Sequence, residues 1–455
     1  MIGKRYLKKT DFDVIIIGAG TSGAYLARKL AEREHRVLVI EKQPRAKVGS
    51  KYDIFHIEEK EFANFGLPRP VKGDKEWAFE FRKNYTADPR NEFPRLADNP
   101  IVGLHMHEYT VLLNDWAAEA GAKFVYGAAF TDFIYGADGR IAGVKYVSRG
   151  KETAKTARVV ADCSGIPAVG RRKLPEGYGI ETFALGDEDM FYVILRYVKI
   201  LNEADYIDGS CGWPFFKSWI APCADPHGAI IGIGACHSYD YAEKVYQEML
   251  NYVPLPTHEV QYVEKGCTPY TRPPYATVAD NFVVSGDAAC LTKAMNGEGV
   301  TSSMVHLRLT ALALDRALRL GDTSRKALWE IDKKYNAGQG AEFAATRALL
   351  TGIVNAATLE EFYFAFRSGM VSDALINGVS GGPLPPAEIA KSAAAFLGGI
   401  VSGKVSKETL KAVGKTLTQA VKLSAQYKNF PAAPEGFEYW CDQTEALWRQ
   451  VGKMK

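Results

Sequence analysis

The sequence predicts an α/β protein in which a helix-flanked parallel sheet is interrupted by antiparallel β segments and followed by a helical C-terminal region. Three observations predict it. First, DVIIIGAGTSGAYLARKLAEREHRVLVIEK, residues 13–42, reads as strand, glycine turn, helix and strand, within the roughly thirty residues of one βαβ unit. Second, NFVVSGDAACLTKAMNGEGVTSSM, residues 281–304, opens on an apolar strand, stops at Gly286 and Asp287, and resumes a helical pattern after a turn rich in glycine and asparagine. Third, residues 50–100 and 180–275 are rich in aromatics and prolines with short strand-like runs, whereas the periodicity from residue 321 onward is helical.

Composition bounds what such a fold can do. A chain of 455 residues with 47% hydrophobic and 24% charged content buries more than one core and is not disordered. Its 56 basic and 53 acidic residues leave a net charge of +3, which provides no basic footprint for nucleic acid. The seven cysteines, at 163, 211, 223, 236, 267, 290 and 441, are scattered and never form C-x-x-C, so neither a disulfide framework nor a metal site is expected. No apolar stretch reaches the roughly 18 residues of a spanning helix. The opening MIGKRYLKKTDFDVIIIG runs into a strand without a cleavage pattern. A cytoplasmic protein is the expectation.

The first unit matches G-x-G-x-x-G at Gly18, Gly20 and Gly23. The first glycine permits the tight turn, the second lets the backbone approach a pyrophosphate, and the third lets helix and strand pack closely, with the helix N-terminus facing the phosphates. Glu41 ends the second strand, where a carboxylate accepts ribose hydroxyls and repels the extra phosphate of NADP. This predicts a Rossmann-type dinucleotide domain. The fingerprint occurs once, and Gly286–Asp287 supplies a strand end of the kind that brings an aspartate to a ribityl chain. The two ends together indicate FAD. Gly297 and Gly299 of the following loop lead into a helix whose N-terminal amides can stabilise negative charge on a reduced flavin.

At these residues the chain resembles the geranylgeranyl reductases, within the flavoproteins shaped like para-hydroxybenzoate hydroxylase. The resemblance covers most of residues 10–320. It rests on the fingerprint with Glu41, on ARVVADCSGIPAVGRRKLP (157–175), on SWIAPCADPHGAIIGIGA (218–235) and on GCTPYTRPPYATVADNFVVSGDAA (266–289). The third stretch is similar to the family's aromatic-x-F-P motif followed by G-x-G. The resemblance therefore implies that Trp219 and Pro222 line a substrate tunnel; read from the residues alone, they equally suit a strand pair with core aromatics. There are departures. Where archaeal relatives carry a cysteine, KVGSKYDIFHIEEKEF offers Asp53, flanked by Tyr52 and followed by His56. Met106 stands between two histidines where hydroxylase relatives have an arginine, and Glu298 breaks the glycine run beside the flavin.

The division implied is a discontinuous FAD-binding domain over residues 1–50, 101–180 and 276–320. A β-sheet substrate domain over 51–100 and 181–275 is inserted into it, and a helical domain follows over 321–455. Within this frame, YTVLLNDWAAEAGAKFVYG spaces Tyr109, Leu112, Leu113, Trp116, Ala117 and Ala120 as one helix face, and GAAFTDFIYGADGRIAGVKYVSRG reads as an antiparallel hairpin. SKETLKAVGKTLTQAVKLSAQY places Leu410, Val413, Leu417 and Val421 on one face and Lys407, Lys411 and Lys415 towards another. The expectation is a C-terminal helix packed on the body, with peripheral membrane contact as the second reading.

The chemistry expected is an FAD-dependent reduction of a carbon–carbon double bond in a small hydrophobic, isoprenoid-like substrate. Asp53, Tyr52, His56 and Glu298 are the candidate acids, and the reduced donor is a ferredoxin-like protein or NAD(P)H. The alternative is an aromatic hydroxylase using NAD(P)H and oxygen, because this fold hosts both chemistries. A flavin-stabilised binding or electron-carrier protein is a third class. The W-x-W-x-I-P motif of halogenases is not found.

Overall fold

The structure, a computed structural model, describes residues 10–49, 53–294, 297–379 and 386–452. Two eight-stranded sheets organise it. The first joins β1 (Phe12–Ile17), β2 (Val37–Glu41), β6 (Lys123–Tyr126), β7 (Ala128–Tyr135), β8 (Ile141–Ser148), β9 (Lys151–Asp162), β15 (Val278–Ala279) and β16 (Phe282–Val284). Its central order, β16-β9-β1-β2-β6, is parallel throughout. The first half of β9 pairs antiparallel with β8, and its second half pairs with β1. One long strand thus carries the β7–β8 hairpin and completes the parallel sheet.

Both faces of this sheet are covered, so its strands read as continuous apolar runs rather than alternating ones. Val14 and Ile16 of β1 enter one core with α1 (Thr21–Ala31), α3 (Met106–Glu119) and α5 (Val300–Leu320). Ile15 and Ile17 enter a second core under the hairpin, with Phe133, Val144 and Phe282. Leu423 and Tyr427 of α12 (Lys407–Lys428) and Trp440 of α13 (Phe437–Val451) join the first of these cores, so the C-terminal helices are packed on the cofactor half. Between α5 and α12 lie α6 (Arg325–Leu328), α7 (Glu330–Tyr335), α8 (Ala341–Ala356), α9 (Leu359–Arg367), α10 (Asp373–Val379) and α11 (Pro386–Val401).

The second sheet has the order β14-β10-β13-β12-β11-β4-β5-β3. Its strands are β3 (Ile54–Glu58), β4 (Trp77–Thr86), β5 (Arg95–His105), β10 (Met190–Ile200), β11 (Gly209–Trp213), β12 (Ser218–Ala221), β13 (Gly228–Cys236) and β14 (His258–Pro269). All its pairs are antiparallel except β11 with β4. Side chains alternate as the pleat requires. Ile194, Val198 and Ile200 pack outward with Ala242, Tyr246 and Met249 of α4 (Tyr239–Met249). Leu195 and Tyr197 point the other way, to Ile54, Phe79, Cys223 and Ile230. The short α2 (Glu59–Phe65) follows β3 and puts Phe62 and Phe65 into the first core.

The two edge strands, β3 and β14, are last and first in the sheet order, yet they meet. The backbone N–H of Asp53 donates to the Glu264 carboxylate at 3.2 Å, and the Tyr262 hydroxyl donates to Asp53 at 3.4 Å. The sheet therefore curls, with the Leu195–Tyr197 face on its inside.

Directly behind the Gly286 junction lies a chain of fully buried polar groups that the sequence did not announce. His306 of α5 contacts the Ser285 hydroxyl at 2.9 Å through Nδ1 and the Thr277 hydroxyl at 2.8 Å through Nε2. Thr277 in turn donates through Oγ1, at 2.5 Å, and through its backbone N–H, at 2.8 Å, to Asp332. Because Thr277 donates to Asp332, His306 carries its proton on Nε2 and accepts from Ser285. Burial pushes the His306 pKa down to about 3 from 6.5 and pushes that of Asp332 up to about 6 from 3.8.

The two act in opposite senses. The stabilising contribution of His306 is complete above pH 6.5 and is lost as the pH falls towards 3, whereas that of Asp332 is complete below 3.8 and is lost as the pH rises through 6. Replacing His306 with Asn should cost about 2–3 kcal/mol by denaturant unfolding near neutrality. That cost should shrink by about 1.4 kcal/mol per pH unit on acidification below pH 6.5. A cost independent of pH over that range contradicts a neutral buried imidazole.

Candidate active site

The strand β1 ends in a turn built from close approaches. Gly18 has φ +101°, and a Cβ there would run into the carbonyl group of Cys163. A Cβ on Gly23 would run into the Gly18 carbonyl oxygen, so the first turn of α1 lies directly against the strand end. Gly20 differs, because nothing stands within 4 Å of where its Cβ would be. Open space therefore faces the N-terminus of α1, which has no side-chain cap and no acid in its first turn. Such a terminus offers backbone N–H groups and partial positive charge to an anion. Beside it, Glu41 accepts from the Ala19 N–H at 2.9 Å and from the Gln43 N–H at 2.8 Å. These fix the carboxylate at the rim, with lone pairs left for hydroxyl donors.

The second junction closes on the first. Gly286 has φ +69°, and its Cβ would stand 2.7 Å from the Ser22 hydroxyl in the first turn of α1. Gly299, which precedes α5, would bring a Cβ to 3.1 Å from Asp287 Oδ1. The N-terminus of α1, the Gly286–Asp287 turn and the uncapped N-terminus of α5 thus form one cradle. Arg171 holds that turn from behind. It is buried, donates to the Ala288 carbonyl at 2.9 Å and the Glu181 carbonyl at 3.0 Å, and lies over the Phe183 ring. Two anion-directed helix termini, a carboxylate at each end and an open space where a backbone must approach phosphate fit FAD. Gly18, Gly20, Gly23 and Glu41 would hold its ADP half; Gly286, Asp287, Gly297 and Gly299 would hold its ribityl and flavin half.

The inside face of the curled sheet continues from this cradle. A Cβ on Gly297 would lie 4.0 Å from both Phe191 of β10 and Thr268 of β14. From Phe191 the inward positions of β10 run Val193, Leu195, Tyr197. Aromatic rings are laid flat on this face because glycines lie beneath them: Phe191 covers Gly234, Trp219 covers Gly232 and Phe79 covers Gly103. This gives the G-x-G of residues 232–234 its physical reason. Trp219 is on the inner face with Ile230 and Cys223, and Pro222 follows directly after the end of β12.

The four candidate acids do not gather at one point. Tyr52 lies outside the described residues. Asp53 sits in the seam between β3 and β14, its side chain 42% exposed and 3.2 Å from His105 Nδ1. There Tyr197 donates to Glu264 at 2.9 Å and stacks on Tyr262. Asp53 is therefore in a polar, water-reached cluster and not in an apolar pocket. His56 pairs in register with Gly103, on the face where the Phe79 ring lies. Water reaches it, yet the surrounding protein strips enough hydration to lower its pKa, with Glu58 opposing that shift. Glu298 accepts a hydrogen bond from Thr301 and is near enough to Lys60 to act on its charge. Lys60 is paired with Glu58 at 2.7 Å. Glu298 thus marks the cradle end of the inner face and Asp53 the far end, with His56 between. No group of three or more His, Cys, Asp or Glu residues that could hold a metal exists among the described residues.

Gly20→Val should fold, since its side chain enters open space, and should lose FAD retention by at least about tenfold. Gly23→Val should fail to fold stably, because the Gly18 carbonyl occupies the position of its Cβ. Asp287→Ala should fold and retain FAD less well. Flavin absorbance after gel filtration, beside the far-ultraviolet circular dichroism, separates these outcomes; a folded, fully yellow Gly20→Val protein contradicts the cradle.

Comparison with known proteins agrees with this geometry. The family described as FAD dependent oxidoreductase matches residues 13–172. The digeranylgeranylglycerophospholipid reductase of Sulfolobus acidocaldarius is 23% identical over 98% of this chain and 99% of its own length. That of Methanoculleus marisnigri is 28% identical over 73% of this chain and 83% of its own. Among solved structures, a geranylgeranyl bacteriochlorophyll reductase-like protein from Thermoplasma acidophilum superposes with a TM-score of 0.64 at 17% identity, covering 91% of this chain and 99% of that one. A flavin-dependent brominase superposes at 0.62, also at 17% identity, covering 86% and 98%. At these identities the structural likeness shows the fold, which both proteins share. The chain is an FAD-dependent oxidoreductase, similar along most of its length to proteins named as geranylgeranyl reductases or reductase-like.

Proposed function

We propose that the protein reduces carbon–carbon double bonds in an elongated hydrophobic substrate of the isoprenoid-lipid class. The observation that carries this reading is the inner lane of β10. Phe191, Val193, Leu195 and Tyr197 succeed one another from the Gly297 loop to the seam, a run of about 20 Å at the rise of a strand. A lane of that length, apolar along its course and polar at its far end, suits a chain with a head group better than a compact aromatic acid. The relatives named as reductases of a digeranylgeranylglycerophospholipid support the same class.

FAD, when bound and reduced, supplies hydride to one carbon of such a bond. The rings seated on Gly103, Gly232 and Gly234 exclude water from the chain and hold it against the sheet. A proton must reach the neighbouring carbon, and Glu298 and His56 are the groups at the cradle end and middle of the lane. His56, its pKa lowered, is neutral near pH 7 and serves as a hydrogen-bonding group; Glu298, fixed by Thr301, is the carboxyl proposed to hold the proton. The seam contains two carboxylates, Asp53 and Glu264, with Tyr197, Tyr262 and His105. It suits hydroxyl donors of a head group, and phosphate less well. The electron donor is a ferredoxin-like protein or NAD(P)H, with Glu41 disfavouring a 2′-phosphate at the fingerprint.

Anaerobic mixing of reduced holoprotein with a geranylgeranyl lipid tests the proposal. Flavin should be reoxidised as the lipid gains a pair of hydrogens per turnover. Glu298→Gln should slow reoxidation while leaving flavin reduction intact, and Asp53→Asn should chiefly raise the lipid concentration required. Reduction by NADPH alone should be slow. Rapid NADPH reduction accelerated by an aromatic compound, with oxygen uptake and oxygen found in the product, would instead establish the hydroxylase reading.

A further inference from the structure

The burial of α12 is the reverse of what its sequence pattern leads one to expect. The residues turned inward are mostly polar or small: Thr409, Thr416, Gln419 and Ala420 are buried with Leu423 and Tyr427. Packing pins this orientation. Thr416 is pressed onto Gly352 of α8, where no Cβ could fit, and Gln419 donates to Gln450 at 2.7 Å. The apolar stripe read from the sequence faces out, with Leu417 51% and Val421 69% exposed and Leu410 beside them. On α11, joined to α12 by residues 402–406, Leu397 and Val401 are 61% and 89% exposed.

Charge completes the pattern. Residues 397–428 carry six lysines, at 404, 407, 411, 415, 422 and 428, against one acid, Glu408. All six lysines are exposed, and none is in an ion pair among the described residues. Since the whole chain has a net charge of only +3, its positive charge is concentrated on this segment. Lys411, Lys415 and Lys422 repeat at intervals of four and seven, as Leu410, Leu417 and Val421 do at seven and four. The lysines therefore form a row alongside the apolar stripe.

We propose that the outer face of α11 and α12 is a docking surface for an anionic phospholipid bilayer, on which α12 lies in the plane of the membrane. A helix with an apolar stripe beside a lysine row inserts the stripe at the headgroup boundary and sets the lysines against lipid phosphates. A second copy of the chain suits this face less well, because a twofold contact would set lysine row against lysine row. No helix among the described residues is long and apolar enough to cross a membrane, so the contact is peripheral. The inference is independent of the reaction catalysed, since it rests on the outside of the C-terminal helices.

The test uses FAD-loaded full-length protein and vesicle flotation. Vesicles of phosphatidylcholine mixed with phosphatidylglycerol should bind the protein and release it as salt is raised, and vesicles of phosphatidylcholine alone should bind it far less. Lys411→Gln and Lys415→Gln should each weaken binding about fivefold, and Leu417→Glu with Val421→Glu should abolish it. All variants should keep their flavin absorbance. Leu320→Glu, at an equally exposed leucine of α5, should bind as the wild type does. The proposal is overturned by binding that ignores lipid charge, by wild-type binding of the Leu417→Glu/Val421→Glu protein, or by a dimer in sedimentation equilibrium that the same double variant dissolves.

Discussion

Backbone and rings approach one another in this protein at positions where no Cβ could be accommodated, and the rest of the structure depends on that closeness. At Gly18 and Gly23 it lets the first helix begin against the first strand, so that uncapped amides stand at the sheet edge. At Gly286 it lets the second junction reach the same helix turn, 2.7 Å from Ser22. The cradle exists because two segments more than 260 residues apart in sequence pack there through glycine. The curled sheet uses the same device differently, since Gly103, Gly232 and Gly234 each lie under an aromatic ring.

Polar groups then fix the two ends of this inner face. At the cradle, His306, Thr277 and Asp332 are linked in series behind Ser285, so that the residue preceding Gly286 is held by a buried network. A buried network of this kind is costly when one member is removed, which makes it a rigid support for the turn that carries Asp287. At the far end, Asp53, Glu264 and Tyr262 join edge strands that would otherwise expose unpaired backbone. Asp53 therefore has a structural task, closing the seam, alongside its proposed place at a head group.

Much of the cofactor half was legible in the sequence, because its signals are local. G-x-G-x-x-G and Glu41 fall within one βαβ unit, and the Gly286–Asp287 strand end is visible in a single line of residues. The seam was not legible. It joins residues 211 positions apart, and nothing in β3 or β14 alone says that the sheet curls far enough to bring them together. The ring-over-glycine pairs needed strand register, although the alternation Phe191, Val193, Leu195, Tyr197 was there to be read. His306 carries no periodic signal of its own. For α12 the helical period was right, but a period tells which residues share a face and not what covers it; the close packing of Thr416 on Gly352 decided that question.

The central claim is that the inner face of the curled sheet is a lane for a hydrophobic chain, running from the FAD cradle to the seam. The most direct measurement is a crystal structure of the holoprotein grown with a geranylgeranyl lipid. The account predicts continuous density for the chain along Phe191, Val193 and Leu195, over the Trp219 ring, with the polar end within hydrogen-bonding distance of Asp53, Glu264 or Tyr262. Density for the lipid elsewhere on the protein, or an inner face closed by its own side chains in the presence of saturating lipid, would contradict it.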